Sequence, residues 1–305
     1  MLRFISIRLL QSIPVLFVIY TITFFMVKMA PGGPFSDERK VAQHIIDQQN
    51  AYYGYDAPTS VQFFKILYQH ITLDLPPLTS FPGLTAADII SESLPVSIEL
   101  GLLAIIFALI IGIPAGIIAS AKQNSILDHG PMSVSMLGIC LPTFVIGPLL
   151  SLVFALWLGW FNSSGWFSWS DRILPALTLG LYYAAYIARM TRGGMLEVLN
   201  ADYIRTARAK GNSETTIVLK HALRGGIMPV VSFLGPALAG LISGSFVVET
   251  LYQIPGLGRH FIQAAVNRDH FLILSTVLLY ATLIIIANLV VDVVQVLLNP
   301  KLKYD

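Results

Sequence analysis

Long stretches without charge alternate with short charged segments along this chain. Residues 9–27, 100–121, 129–170, 173–188, 225–248 and 270–291 contain no Asp, Glu, Lys or Arg. A helix crossing a bilayer needs about 20 apolar residues. The pattern therefore predicts six membrane-spanning helices, at 1–30, 95–120, 131–158, 173–190, 228–249 and 271–298. The fourth stretch is the shortest and needs Arg189 or Arg192 to snorkel to the interface. No ten-residue alternation suggests a barrel, so backbone satisfaction in lipid calls for helices. The first span has the basic start of a signal peptide, in Arg3 and Arg8. Its apolar core is too long for one, and Val-Lys-Met-Ala makes a poor cleavage site, so it reads as a retained helix.

Two long segments lie between the spans. In 31–94, Val61, Phe64, Leu67, Tyr68 and Ile71 recur at helical spacing after Pro58 and predict an amphipathic helix. Phe63 and Ile66 fall off that face, so the helix is expected to lie on its own bundle, on the membrane or on a partner. The second segment, 191–227, reads as helix, glycine turn, helix. Leu196, Leu199, Tyr203 and Ala207 form an apolar stripe, and Arg205, Arg208 and Lys210 lie off it. Gly211 suits the left-handed residue that ends a helix. Ser213 and Glu214 suit the start of the next one, as a cap and as an acid facing the helix dipole.

Composition settles the class. The 305 residues are 55% hydrophobic and only 12% charged, against roughly 25% charged in soluble domains. A soluble enzyme, a disordered protein and a nucleic-acid binder are excluded. With the N-terminus inside, the inner segments hold twelve of the 19 basic residues, which obeys the positive-inside rule and places both termini in the cytoplasm. All four tryptophans lie between Trp157 and Trp169, as an interfacial belt at the outer end of the third span. The single cysteine, Cys140, cannot form an internal disulfide and reads as a small packing residue.

Catalytic motifs are absent. No Gly-Lys pair exists, so there is no nucleotide-binding loop, and there is neither a His-Glu-x-x-His nor a Gly-x-Ser-x-Gly motif. The six histidines do not cluster at metal spacing, so no metal and no cofactor is expected in this chain. Within the spans, Asn288, Asp292 and Gln295 share one helical face, either as interhelical glue or as pathway lining. Glu99 is close enough to the outer interface to reach it. Gly112-xxx-Gly116 and Gly240-xxx-Gly244 predict close helix approach. Pro114, Pro142, Pro148 and Pro236 should bend their helices.

Residues 188–211, Ala-Arg-Met-Thr-Arg-Gly-Gly-Met-Leu-Glu-Val-Leu-Asn-Ala-Asp-Tyr-Ile-Arg-Thr-Ala-Arg-Ala-Lys-Gly, resemble the signature of ABC-transporter permease subunits of the dipeptide, oligopeptide and nickel importer group. His221-Ala222-Leu223-Arg224 with Pro229, Glu249-Thr250, Ile254-Pro255-Gly256-Leu257-Gly258 and Asn267-Arg268-Asp269 continue the likeness. So do Ala30 to Phe35, Leu141-Pro142-Thr143-Phe144, and Asp292 with Asn299-Pro300. The likeness covers essentially the whole chain, and its ends look most like the B-type subunit of oligopeptide permeases. Where the general importer loop has Glu-Ala-Ala, this chain has Arg205, Thr206 and Ala207, so no role rests on a loop glutamate. Leu73-Asp74-Leu75-Pro76 stands where the family usually has a Gly-Asp-Leu-Gly turn.

The resemblance implies an all-α, type I importer permease of the bacterial inner membrane. It divides into an N-terminal helix (1–30), an extracytoplasmic loop region (31–94) and a five-helix core (95–300) with a coupling loop at 191–227. It further implies a second homologous permease subunit, two ATP-binding subunits that carry ATP and Mg, an extracytoplasmic peptide-binding protein and a peptide substrate. Leu196, Leu199, Tyr203, Arg205, Thr206, Ala207, Arg208, Ala209, Lys210 and Gly211 would couple to an ATPase subunit. Dipeptides and nickel chelates are alternative cargoes. Two rival readings are a gradient-driven carrier with its ion site at Asp292 and a membrane scaffold for cytoplasmic proteins.

Overall fold

The computed structural model describes residues 2–30, 43–81 and 83–298. Pro31 to Phe35, the closing Asn299-Pro300, and Lys301 and Lys303 lie outside these residues. The described chain is helical, with one isolated antiparallel bridge, Pro77 to Thr85. The helices run α1 (Leu2–Met29), α2 (Gln43–Tyr53), α3 (Thr59–Thr72), α4 (Ala86–Ala121), α5 (Ile126–Cys140) and α6 (Thr143–Leu150), which continues as a π-helix over Ser151–Trp157. A 3-10 turn, Trp169–Arg172, leads into α7 (Ile173–Leu199), followed by α8 (Asp202–Ala209). Next, α9 (Glu214–Thr216) passes through a π-helical stretch, Ile217–Ala222, into α10 (Leu223–Gly226). The chain then forms α11 (Met228–Gly244), α12 (Phe246–Leu251), α13 (Leu257–Asn267) and α14 (His270–Leu298).

Each of α1, α4, α7 and α14 is long and apolar enough to cross a bilayer, and two bent helix pairs bring the possible total to six. The third span expected at 131–158, with a bend at Pro142, is sharply broken there: α5 and α6 meet at an angle of 110°. Pro142 is the cause. It has no N–H to extend α5, and it drives Leu141 into extended backbone, φ −87° and ψ 123°. The second bent pair, α9–α10 with α11, turns by 50° ahead of Pro229. The expected fifth span, 228–249, is interrupted at Ser245. Both α4 and α7 are longer than expected, since α4 begins at Ala86 and α7 runs to Leu199.

Contacts divide the chain into two compact units. The first comprises residues 1–96 and 256–285, and the second 97–255 and 286–305. The first unit cuts across the division read from the sequence, because Tyr20 and Phe24 of α1, Phe63 and Ile66 of α3, and Ala264 and Phe271 share one core. The Tyr20 hydroxyl donates to the Phe63 carbonyl at 2.7 Å. The Phe63 ring meets those of Tyr20 and Phe24 edge-on at 5.0 and 5.2 Å, a favoured aromatic geometry. Gln62 is buried and satisfied, donating to the Tyr55 and Ala57 carbonyls and accepting from Lys28.

This arrangement corrects the expected face of α3. Val61, Phe64, Tyr68 and Ile71 are exposed, and of the expected stripe only Leu67 packs on the core. Apolar residues nearly encircle α3, so periodicity could not select a side. Burial of the Phe63 ring and satisfaction of Gln62 decide it. The helix ends at Leu73, which holds φ +58°. This is the position where the resembled family usually has glycine.

The second unit is built around α7. A Cβ on Gly112 would stand 2.7 Å from the Ala184 carbonyl oxygen, and one on Gly116 2.5 Å from the Thr191 Cβ. Helix α4 thus lies on α7 at backbone distance, the approach that small residues permit between membrane helices. At the N-terminal end of α7, Arg172 pairs with Glu99 and stacks over the rings of Trp166 and Trp169. The Asp171 carboxylate accepts from the Phe167 and Ser168 amides and from Asn162, fixing the tryptophan loop.

Three substitutions test these packings. Gly116→Ala should lower thermal stability in detergent by about 1–3 kcal/mol through overpacking. Gly193→Ala, with open space around its Cβ, should be nearly neutral. Leu73→Gly should raise stability by about 1 kcal/mol by relieving the left-handed backbone.

Candidate functional site

The segment after α7 forms a compact helical element. Asn200 and Ala201 turn the chain, and the extended backbone of Ala201, φ −72° and ψ 150°, starts α8 with a new phase. The apolar stripe expected across Leu196, Leu199, Tyr203 and Ala207 therefore does not lie on one helix. Ile204 and Ala207 are the buried pair of α8, whereas Tyr203 is 53% exposed. They join Met195, Ile217 and Ala222 in a small core, on which Leu199 packs. Leu196 is half-buried, and Arg205, Thr206, Arg208, Ala209, Lys210 and Gly211 are exposed.

Gly211 has φ +78° and terminates α8 as its sequence position predicts. The Ser213 hydroxyl accepts the Thr216 amide and caps the second arm. Arg208 reaches across the glycine turn to Glu214 at 2.9 Å, and the Glu214 carboxylate holds the guanidinium in its charged form. Through α10 the element returns to α7: a Cβ on Gly194 would collide with the Gly226 carbonyl. Two short helices are thus clamped to the end of a long one, with a basic outer surface.

A buried ion pair ties α5 to α7 next to this element. Asp128, 1% exposed, accepts from Arg192 Nε at 2.6 Å and from its second nitrogen at 2.7 Å. The Asn124 amide donates to the same carboxylate at 3.0 Å. This bidentate geometry gives direction as well as energy. The Glu249 carboxylate is fully buried and accepts from Ser97 at 2.8 Å and Ser245 at 2.6 Å.

The break between α5 and α6 opens onto a cavity of about 330 Å³ lined by Cys140, Leu141, Thr143, Tyr182, Tyr183 and Gly240. Aromatic rings line α7 and its neighbour here. Tyr182 lies 5.2 Å from Tyr183 and 5.0 Å from Tyr186, and Phe233 of α11 packs on Tyr186 at 5.9 Å. The Arg189 guanidinium lies over the Tyr186 ring at 5.4 Å. Arg189 also faces a second cavity, of about 240 Å³, shared with Asp128, His129 and Ser135.

The polar face read from the sequence lies on α14. The Asn288 amide oxygen sits where a Cβ on Gly235 would come within 2.8 Å, so this side chain fits against a bare stretch of α11. Asp292 and Gln295 are half-buried. Gly240 lies against the Tyr183 hydroxyl, and Gly244 closes α11. Among the described residues no group of His, Cys, Asp and Glu could hold a metal. Sequence reasoning missed the Asp128–Arg192 pair and the tyrosines. The spacing of Tyr182, Tyr186 and Arg189 was a legible signal for one helical face. The hydroxyl partners of Glu249 had none.

Residues 112–304 match the family described as "Binding-protein-dependent transport system inner membrane component". The oligopeptide transport system permease protein OppB of Haemophilus influenzae is 42% identical over all of both chains. The dipeptide transport system permease protein DppB of Bacillus subtilis is 39% identical, over 99% of this chain and 98% of its own. In fold, the chain is similar to a structure of the MetNI methionine ABC transporter in an inward-facing conformation. The TM-score is 0.60 at 19% identity, covering 69% of this chain and 96% of that one.

The ion pair yields a further test. Asp128→Asn leaves Arg192 without its charged partner and should cost about 2–3 kcal/mol. Adding Arg192→Leu should recover part of that loss, because removing both charges also removes the stranded one. Thermal unfolding of the purified variants measures both effects.

Proposed function

The chain belongs to the family of binding-protein-dependent transport system inner-membrane components, and from that membership we propose that it is one of two homologous permease subunits of an ATP-driven oligopeptide importer. Counting each bent helix pair as one span gives six spans with both termini in the cytoplasm of a bacterial inner membrane. ATP and Mg are held by two partner subunits, and an extracytoplasmic binding protein delivers the peptide. The residue roles are division of labour rather than catalysis: α4, α5, α7, α11 and α14 form half of the path, and the 191–227 element receives the ATPase.

The observation that carries this reading is the clamped element after α7. Its core of Ile204, Ala207, Ile217 and Ala222 makes it stiff, and its exposed Arg205, Arg208 and Lys210 leave a basic surface for a partner. Closure of an ATPase dimer would act on it as a rigid handle. Loaded binding protein outside and ATP inside are then reciprocally linked through the path. The likeness to OppB along the whole chain favours oligopeptides as cargo, and DppB makes dipeptides the nearest alternative.

Gly211→Pro tests the coupling role. Proline cannot adopt φ +78°, so the turn between α8 and α9 must rebuild while the spans stay intact. In proteoliposomes with all partner subunits, the expected result is normal membrane insertion, retained ATP hydrolysis and loss of peptide uptake. Normal uptake would sink the coupling assignment. Uptake by the purified chain alone, without ATP, would replace the importer reading with a gradient-driven carrier.

A further inference from the structure

We propose that the α5–α6 break and the tyrosines of α7 form a subsite that binds the backbone of the transported peptide by uncharged hydrogen bonds. The proposal rests on the importer reading and locates its substrate contact. The first support is the break itself. Pro142 has no N–H to give to the Gly138 carbonyl, and Leu141 leaves the helix, so carbonyls at the end of α5 lose their helical donors. Tyr183 lies ten residues into α7, about 15 Å by helical rise, which puts this irregular backbone at membrane depth. Non-helical backbone is tolerated there only when protein buries it or it lines a wet cavity. The cavity of about 330 Å³ lies directly against it.

The second support is the chemistry of the walls. Tyr182 and Tyr183 line the cavity beside the break, and its lining holds no charged residue. A peptide presents repeated N–H and C=O groups whatever its sequence. Carbonyls at the break accept the N–H groups, the phenols donate to the C=O groups, and the aromatic faces carry variable side chains. With no fixed charge to trap a charged side chain, such walls suit a carrier of many sequences. The third support is continuity. Ile139 lines both this cavity and the one of about 240 Å³ beside it. That second cavity is lined by Arg189, which lies over Tyr186, and by the paired Asp128 and Arg192. The α5–α7 groove therefore runs from the break toward a cation that suits the carboxylate of a departing peptide.

The chain carries its own probe. Cys140 is its single cysteine, is exposed, and lines the cavity. The complete importer is assembled in proteoliposomes with cysteine-free partner subunits, and peptide uptake is recorded first. A small cationic methanethiosulfonate should modify Cys140, and peptide-loaded binding protein with ATP should slow that modification several-fold. Tyr182→Phe with Tyr183→Phe should raise the KM of uptake several-fold for peptides of unrelated sequence and lower turnover much less. If uptake is normal but Cys140 reacts only with a lipid-soluble maleimide, the break faces lipid and the subsite is wrong. If neither reagent reacts while uptake is normal, another subunit covers the break, and the proposal is equally overturned. Failure of uptake in an intact assembly would overturn the importer reading itself.

Discussion

The second unit depends on the closeness of backbone to backbone along α7. Gly112 and Gly116 of α4 leave room for the Ala184 and Ala188 carbonyls, Gly180 of α7 leaves room for the Ala104 carbonyl, and Gly194 accepts Gly226 of α10. Lipid offers no hydrophobic drive to hold helices together, so close van der Waals contact has to supply it. This contact also leaves the tyrosines no place in the α4–α7 interface. They project from another side of α7, toward α11 and the cavity. The packing surface and the polar surface are thus two consequences of one residue pattern.

Proline and π-helix divide the remaining work. Pro142 ends α5 and releases backbone at depth, and Pro148 is followed by the π-helical Ser151–Trp157, whose first amide is shared between the Gly147 and Pro148 carbonyls. The Tyr252 hydroxyl donates to the Gly147 carbonyl and sits 2.9 Å from Thr178, so the rearranged backbone is tied back to α7. The helix that follows the break is thereby anchored to α7.

Much of this was legible in the sequence. Charge-free stretches located the apolar segments, because charge in hydrocarbon is costly and leaves a clear gap. Gly211 and Ser213 marked the turn after α8, because helix ends place specific demands on one or two residues. Two kinds of feature were not legible. The first is the choice among faces: α3 is apolar nearly all round, and α8 restarts with a new phase after Ala201, so a period alone chose wrongly in both. The second is long-range pairing. Asp128 and Arg192 are 64 positions apart, Ser97 and Glu249 152, and nothing local to either member names the other. The strength of Pro142 was also hidden, since a proline within a membrane helix can cause anything from a mild bend to a 110° break.

The continuity of α7 has a mechanical consequence. Its 27 residues make a rod of about 40 Å, seated on α4 at three levels, where Gly180 meets Ala104, Gly112 meets Ala184 and Gly116 meets Thr191. Tyr183 lies eight residues from Thr191, about 12 Å along the axis, so a tilt of about 10° of α4 and α7 together would move the tyrosine by about 2 Å. That displacement exceeds the range over which a hydrogen bond survives. The glycine-packed pair of helices is therefore geared as one body, in which a small rotation at one end becomes a displacement larger than a hydrogen bond at the tyrosines.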